Sequence, residues 1–146
     1  MKIRFALALL AMVFALAACG GVEEDASASV SPVGDSFVVP VNEVSDGAAH
    51  YYQAEAGGKE VRFFVLKSSD GVLRAAFDAC DVCYESKKGY TQDGEFMVCN
   101  NCGRRFHSSR INEVKGGCNP APLNRAIQGD NLVINMSDIA TGAFYF

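Results

Sequence analysis

Two Cys-x-x-Cys pairs stand fifteen residues apart in a chain of 146 residues. The first is Cys80-Asp81-Val82-Cys83, and the second is Cys99-Asn100-Asn101-Cys102, followed at once by Gly103. Pairs at this separation match the four-cysteine metal pattern, in which each pair lends two thiolates from one tight turn. Two intervening residues let both sulfurs of a pair point at a common ion while backbone N–H groups of the turn face the sulfurs. Gly103 suits the residue after such a knuckle, where a positive φ is often required. Gly89 and Gly94 supply further turns that bring the second pair back onto the first. The competing reading of the same cysteines is disulfide pairing without a metal.

The start of the chain places the rest of it. Lys2 and Arg4 form a short positive region, and Phe5 to Ala18 form an apolar run that ends in Leu16-Ala17-Ala18-Cys19. That run is shorter than the roughly 20 residues needed to span a bilayer. A small-residue stretch ending in cysteine fits a bacterial lipoprotein signal peptide, so residues 1–19 are read as a signal whose Cys19 receives lipid. Residues 20–35 are small, polar and acidic, and are read as a flexible tether. Residues 36–146 then form one metal-binding domain. The location expected is extracytoplasmic, on a bacterial membrane.

This placement bears on charge and on sulfur. Processing removes Lys2 and Arg4 and no acidic residue, which takes the formal net charge from −4 to −6. An acidic exported chain lacks the excess of Lys and Arg that phosphate neutralisation requires, so nucleic acid is excluded as a partner. Lys87, Lys88, Arg104, Arg105, Arg110 and Lys115 gather basic charge near the cysteines as a solvated rim. Lipidation of Cys19 leaves five thiols, an odd number. Thiols outside the cytoplasm oxidise unless something holds them, and a metal does so by keeping them as thiolates. The leader has no twin arginine, so the metal is expected to be acquired after export.

The folded part reads as mainly β: an antiparallel meander carrying two metal-binding knuckles, a zinc-ribbon-like site, with little helix. Phe37 to Val41 is a short strand, with Pro40 suggesting an edge. Ala49 to Ala54 ends at a Gly57-Gly58 turn, and Val61 to Leu66, apolar on both faces except at Arg62, reads as a central strand. Ser69-Asp70-Gly71 is a hairpin signal, and Val72 to Ala79 returns to deliver Cys80. Glu95 to Val98 and Leu132 to Met136 are further strands, and Ala143 to Phe146 either closes the sheet or covers an apolar face. Residues 104–115 fit one helical turn or a strand equally. Tyr51, Tyr52, Tyr90, Phe96 and Phe106 are assigned to the core.

Four blocks occur in order: Phe77-Asp78-Ala79-Cys80-Asp81-Val82-Cys83, Lys88-Gly89-Tyr90, Val98-Cys99-x-x-Cys102-Gly103, and Gly116-Gly117-Cys118-Asn119-Pro120-x-Pro122-Leu123. From about His50 to about Val133 the chain resembles the membrane iron–sulfur-containing FtrD-like family. The resemblance implies iron or an iron–sulfur group on the cysteines. It also implies partners in bacterial iron uptake: an iron permease, periplasmic iron-binding proteins and thioredoxin-like redox proteins. Members are often fused to membrane-spanning segments; with only a lipid anchor, this chain would be a separate tethered subunit.

Three other residues are candidates for the site. Cys118 is either a buried thiol packed as a small hydrophobe or a fifth thiol at the site, and the resemblance favours the latter. His107 and His50 are candidate additional ligands, each weighed against an ordinary surface role. Asp78 and Asp81 flank the first pair and are read as turn-forming. No paired carboxylates, phosphate loop or hydrolase motif is present. The leading expectation is therefore a lipid-anchored metal-binding protein acting in iron uptake, with electron transfer as its mechanism. The alternatives are a structural zinc-knuckle interaction module and a thiol–disulfide oxidoreductase, the latter without the expected βαβ context.

Overall fold

The structure, a computed structural model, describes residue 30 and residues 32–146. Residues 1–19, expected to be a signal peptide with a lipidated Cys19, lie outside the described residues. Strands β1 (Pro32–Val33) and β2 (Ser36–Pro40) form a small hairpin. Then come β3 (His50–Ala56), β4 (Lys59–Lys67) and β5 (Leu73–Phe77), followed by β6 (Tyr90–Asp93), β7 (Phe96–Cys99) and β8 (Arg105–His107). The chain ends with β9 (Ala126–Gln128), β10 (Asn131–Asn135) and one short helix, α1 (Met136–Ala140).

Three antiparallel sheets result: β1-β2-β10-β9, β3-β4-β5 and β6-β7-β8. Strand β4 explains why they assemble as they do. Successive side chains on a strand point to opposite faces, and both faces of β4 are apolar. Phe63 and Val65 pack with Phe37, Val39, Leu132 and Ile134 from the first sheet. Phe64 and Leu66 pack with Met97 and with Cys80 and Cys99. The middle sheet is thus covered on both sides, and its second face is the floor of the cysteine cluster. Phe63 and Phe64 are fully buried, so truncating either to Ala would cost about 3–5 kcal/mol.

Most strand expectations hold, β4 lying in the middle of its sheet. The differences are local. Among the described residues, the first strand is already at Pro32, inside the stretch assigned to the tether, because Pro32 and Val33 pair with Phe37 and Ser36 across a Gly34-Asp35 turn. Residues 104–115 hold both a strand and a turn: β8, then a 3₁₀ turn at Ser108–Arg110. Met136 starts α1 instead of ending β10. Ala143–Tyr145 is a 3₁₀ turn that buries Ala143 and Tyr145, so this end covers an apolar face and adds no strand. Of the aromatics assigned to the core, Tyr90 is buried but Tyr51 is exposed and Tyr52, Phe96 and Phe106 are half-buried. The buried aromatics are chiefly phenylalanines, Phe37, Phe63, Phe64 and Phe77, which carry no hydroxyl to satisfy.

Candidate metal centre

Cys80 and Cys83 sit just beyond the end of β5. The chain leaves the strand in a turn where the backbone N–H of Tyr84 donates to the Cys80 carbonyl (3.2 Å). This orients the backbone N–H of Cys83 toward Cys80 Sγ, to which it donates at 3.2 Å. Such an N–H···S contact suits a thiolate better than a thiol, since charge on sulfur strengthens the bond.

Cys99 closes β7, with Tyr90 directly opposite it on β6. The knuckle that follows is closed by the backbone N–H of Gly103 donating to the Cys99 carbonyl (2.8 Å), and by Cys99 N–H donating to the Arg104 carbonyl (2.9 Å). Gly103 has φ +72°, the left-handed conformation that favours glycine. Gly89 is constrained twice over: its φ is +64°, and an added Cβ would overlap the Asp78 carboxylate. That carboxylate accepts the Tyr90 backbone N–H at 2.7 Å and so fixes β6 against the end of β5. Asp78 is thus a tie between segments, and no local turn cap is needed to explain it.

Cys118 arrives from a third segment. Residues 121–123 run beside β5 with strand-like bonds: Phe77 N–H to Ala121 C=O (2.8 Å), Ala121 N–H to Ala79 C=O (2.9 Å) and Leu123 N–H to Ala75 C=O (3.1 Å). The Tyr90 hydroxyl donates to the Cys118 carbonyl at 2.6 Å. These bonds bring Cys118 Sγ to 4.0 Å from Cys83 Sγ.

The five thiols therefore converge, and they do so in two groups. Cys80, Cys83 and Cys99 form one, and Cys83, Cys102 and Cys118 the other, with all sulfurs within a group less than 4.8 Å apart. Cys83 belongs to both. Cys80, Cys99 and Cys118 are buried, Cys83 is half-buried and Cys102 is exposed. No disulfide joins any of the five. Burial pushes the Cys99 thiol up to about 11, because a charged sulfur there loses its hydration. The Arg104 backbone N–H, facing Cys102, holds that thiol below its ordinary value. Burial also pushes Tyr90 far up, so its hydroxyl stays a donor.

Other residues close the site. The Tyr145 hydroxyl donates to Asp81 Oδ1 (2.6 Å), and Lys87 Nζ donates to the Tyr145 carbonyl (2.8 Å). Tyr145 and Phe146 thereby line the same small pocket as Cys80, Cys83 and Cys99. The role of this C-terminal cover was not legible in the sequence beyond its apolar character. The two histidines are engaged elsewhere. His50 Nε2 pairs with Asp46 Oδ1 at 2.9 Å, and His107 bonds Ser109 Oγ through Nδ1 (2.8 Å) and Glu95 through Nε2 (3.3 Å). Neither belongs to a cysteine group.

A mainly β domain that gathers five thiols from three segments is a protein with a cysteine-bound metal or cluster. The chain belongs to the FtrD-like family of membrane iron–sulfur-containing proteins, matched over residues 44–146. Thiolates are the donors that iron–sulfur groups use, so the residues fit such a group in kind. No curated protein matches the chain. Among solved structures it is similar to the quaternary ammonium Rieske monooxygenase CntA with a bound inhibitor, at 15% identity over 68% of this chain and 30% of that one, TM-score 0.48. It is likewise similar to CntA with gamma-butyrobetaine, at 16% identity over 66% of this chain and 30% of that one, TM-score 0.45. The chain thus spans 30% of the length of those structures.

Proposed function

We propose that this chain is a lipid-anchored, extracytoplasmic metal–thiolate protein of a bacterial iron-uptake system. Cys80, Cys83, Cys99 and Cys102 hold the metal or cluster, and Cys118 completes it. The observation that carries this reading is the convergence of five unpaired thiols from three separate segments, together with membership of a membrane iron–sulfur family. An iron or iron–sulfur group held there supplies one-electron chemistry. The chain's own part is to keep the sulfurs as close-set thiolates, shield Cys80 and Cys99 from water, and present Cys102 at the surface toward a partner. The partners that suit this role are an iron permease and the periplasmic iron-binding and redox proteins that serve it.

Attachment through lipid on Cys19 is supported by the Leu16-Ala17-Ala18-Cys19 sequence. No helix among the described residues is long and apolar enough to cross a membrane. Metal analysis and an absorption spectrum of the chain purified from its own membrane test the reading. Iron with sulfur-to-metal charge-transfer bands is the expected result. Colourless zinc protein would instead make the cysteines a structural knuckle, and metal-free protein with disulfides would refute metal binding. Mass spectrometry of the N-terminal peptide tests the lipid: a diacylated Cys19 is expected, and an unmodified one removes the anchor.

A further inference from the structure

The chain is acidic overall, with a formal net charge of −4, yet the surface around the cysteine site carries the opposite sign. Lys87, Lys88, Arg104 and Lys115 are exposed there, against the carboxylates of Asp81 and Glu85. We infer that this face docks the acidic surface of a one-electron carrier protein, with Cys102 at the point of contact. This rests on the reading that the thiols hold a redox-active metal group. It specifies where on the chain the partner lands and what chemistry the partner presents.

The patch is built on the two knuckles. Residues 88–89 lie along the second: the Asn100 side chain donates to the Lys88 carbonyl (2.9 Å) and the Asn100 N–H to the Gly89 carbonyl (3.0 Å). Arg104 leaves the same knuckle at its other end, its carbonyl accepting the Cys99 N–H. Lys88 and Arg104 thus bracket the turn that carries Cys102, the one exposed thiol of the five. Lys115 stands three residues before Cys118, whose sulfur lies within 4.8 Å of that of Cys102. On the side of the first knuckle, Lys87 Nζ sits 5.9 Å from the centre of the Tyr84 ring. Of the two acids, Asp81 is already engaged by the Tyr145 hydroxyl. Within this rim the surface is apolar. Val82, between Asp81 and Cys83, is 64% exposed, and Phe144, packed on Tyr84 and Tyr145, is 59% exposed. Apart from Val33, no large apolar side chain among the described residues is more exposed than these. An apolar centre inside a charged rim is the anatomy of a protein interface, and transient redox encounters need only a small one.

Charge complementarity names the partner: a basic patch on an acidic chain attracts an acidic surface and speeds its encounter. Anionic lipid headgroups have the same sign, but a membrane pressed on this face would seal Cys102, the most exposed of the sulfurs. In the docked pair one electron crosses between the partner's metal and the group on the thiols. One side is oxidised and the other reduced, no proton moves, and no bond forms or breaks.

The test uses the full chain with its own metal, in detergent, and two one-electron oxidants of opposite charge. Hexacyanoferrate(III) is a trianion and tris(phenanthroline)cobalt(III) a trication. Stopped-flow oxidation by the trianion should slow about tenfold between roughly 0.01 and 0.15 M salt, as the Debye length falls from about 30 to 8 Å. It should slow by a similar factor in Lys88→Glu and in Arg104→Glu, whose contacts to the knuckle run through the backbone. The trication should show the opposite trend in both respects. A second readout involves no electron transfer: the redox-inert trianion tris(oxalato)chromate(III) should speed the EPR spin relaxation of the reduced centre, and lose most of that effect in the same variants. Equal responses to the two charges, or variants indistinguishable from the parent, would overturn the docking face while leaving the metal centre standing. The chain has no tryptophan, so Phe144→Trp reports on membrane contact. Its emission should be the same in phosphatidylcholine and phosphatidylglycerol vesicles; a blue shift confined to the latter would assign the patch to lipid and overturn the protein partner. A chain that neither reagent oxidises would overturn the redox reading and the docking face with it.

Discussion

Arg74 offers the sharpest test of how the fold holds the third cysteine segment in place. Its guanidinium is buried, with a side-chain exposure of 3%, yet it reaches two separate parts of the chain. Nε donates to Ser68 Oγ (2.8 Å), Nη1 to the Ile111 carbonyl (2.6 Å) and Glu113 (3.0 Å), and Nη2 to Asp70 (2.6 Å). It thus ties the β4–β5 turn to residues 111–113, which lead toward Cys118. Arg74→Met keeps most of the aliphatic volume and deletes every one of these bonds. The exposed carboxylates of Asp70 and Glu113 simply turn to water and contribute little. The buried Ile111 carbonyl has no such recourse: an orphaned buried acceptor costs about 1–3 kcal/mol, and a lost bond from a charged donor is worth about 1.5–3. A loss near 3 kcal/mol is expected, which for a domain of this size lowers Tm by about 12 °C. Acid should expose the same network. The Ser68 hydroxyl and then Arg74 hold Asp70 at about 2, below its unfolded value near 3.9. Its folded value is the lower one, so the stability it contributes is full above about pH 4 and fades as pH falls toward about 2. In Arg74→Met that acid-side loss should shrink, since one of its two main causes is gone. Thermal unfolding across pH 2–7 reads both effects. A Tm drop of under about 4 °C, equivalent to about 1 kcal/mol, would refute the claim that Arg74 anchors this segment.

Further substitutions probe the knuckles and their cover. Gly103→Ala places a Cβ at φ +72°, so a loss of about 1–2 kcal/mol in denaturant unfolding is expected, with weaker metal retention in chelator competition. Gly89→Ala should be worse, because strain at φ +64° adds to overlap with the Asp78 carboxylate; circular dichroism should show loss of folded protein, and an intact domain would contradict the geometry. Tyr145→Phe removes the hydroxyl bond to Asp81 and should cost about 1 kcal/mol, while increasing access of alkylating reagents to Cys83 in the metal-free chain.

Much of this architecture could be read from residue order alone, and the reasons differ from place to place. Val61 to Leu66 announced a central strand because both faces had to be buried, and β4 does bury both. The two Cys-x-x-Cys pairs announced convergence through their spacing and their glycines. What spacing could not convey was the grouping. That Cys83 lies between two sets of sulfurs follows from residues 121–123 running beside β5, a long-range pairing without a local signature. Two aromatics assigned to the core differ for a related reason: Tyr51 lies on the edge strand β3, its hydroxyl donating to the Tyr90 carbonyl at 3.1 Å, and Phe96 alternates with the buried Met97 on β7, and only tertiary packing reveals that. His50 and His107 were plausible ligands by type, but Asp46, Glu95 and Ser109, close in sequence or one strand away, provide their partners.

The most direct measurement is thiol protection in the chain purified anaerobically from its own membrane. Alkylation followed by peptide mass spectrometry should find Cys80, Cys83, Cys99, Cys102 and Cys118 all protected, and all reactive once a strong chelator has stripped the metal. Cysteines that react freely before chelation, or that are recovered as disulfides with no metal present, would contradict a shared metal–thiolate centre.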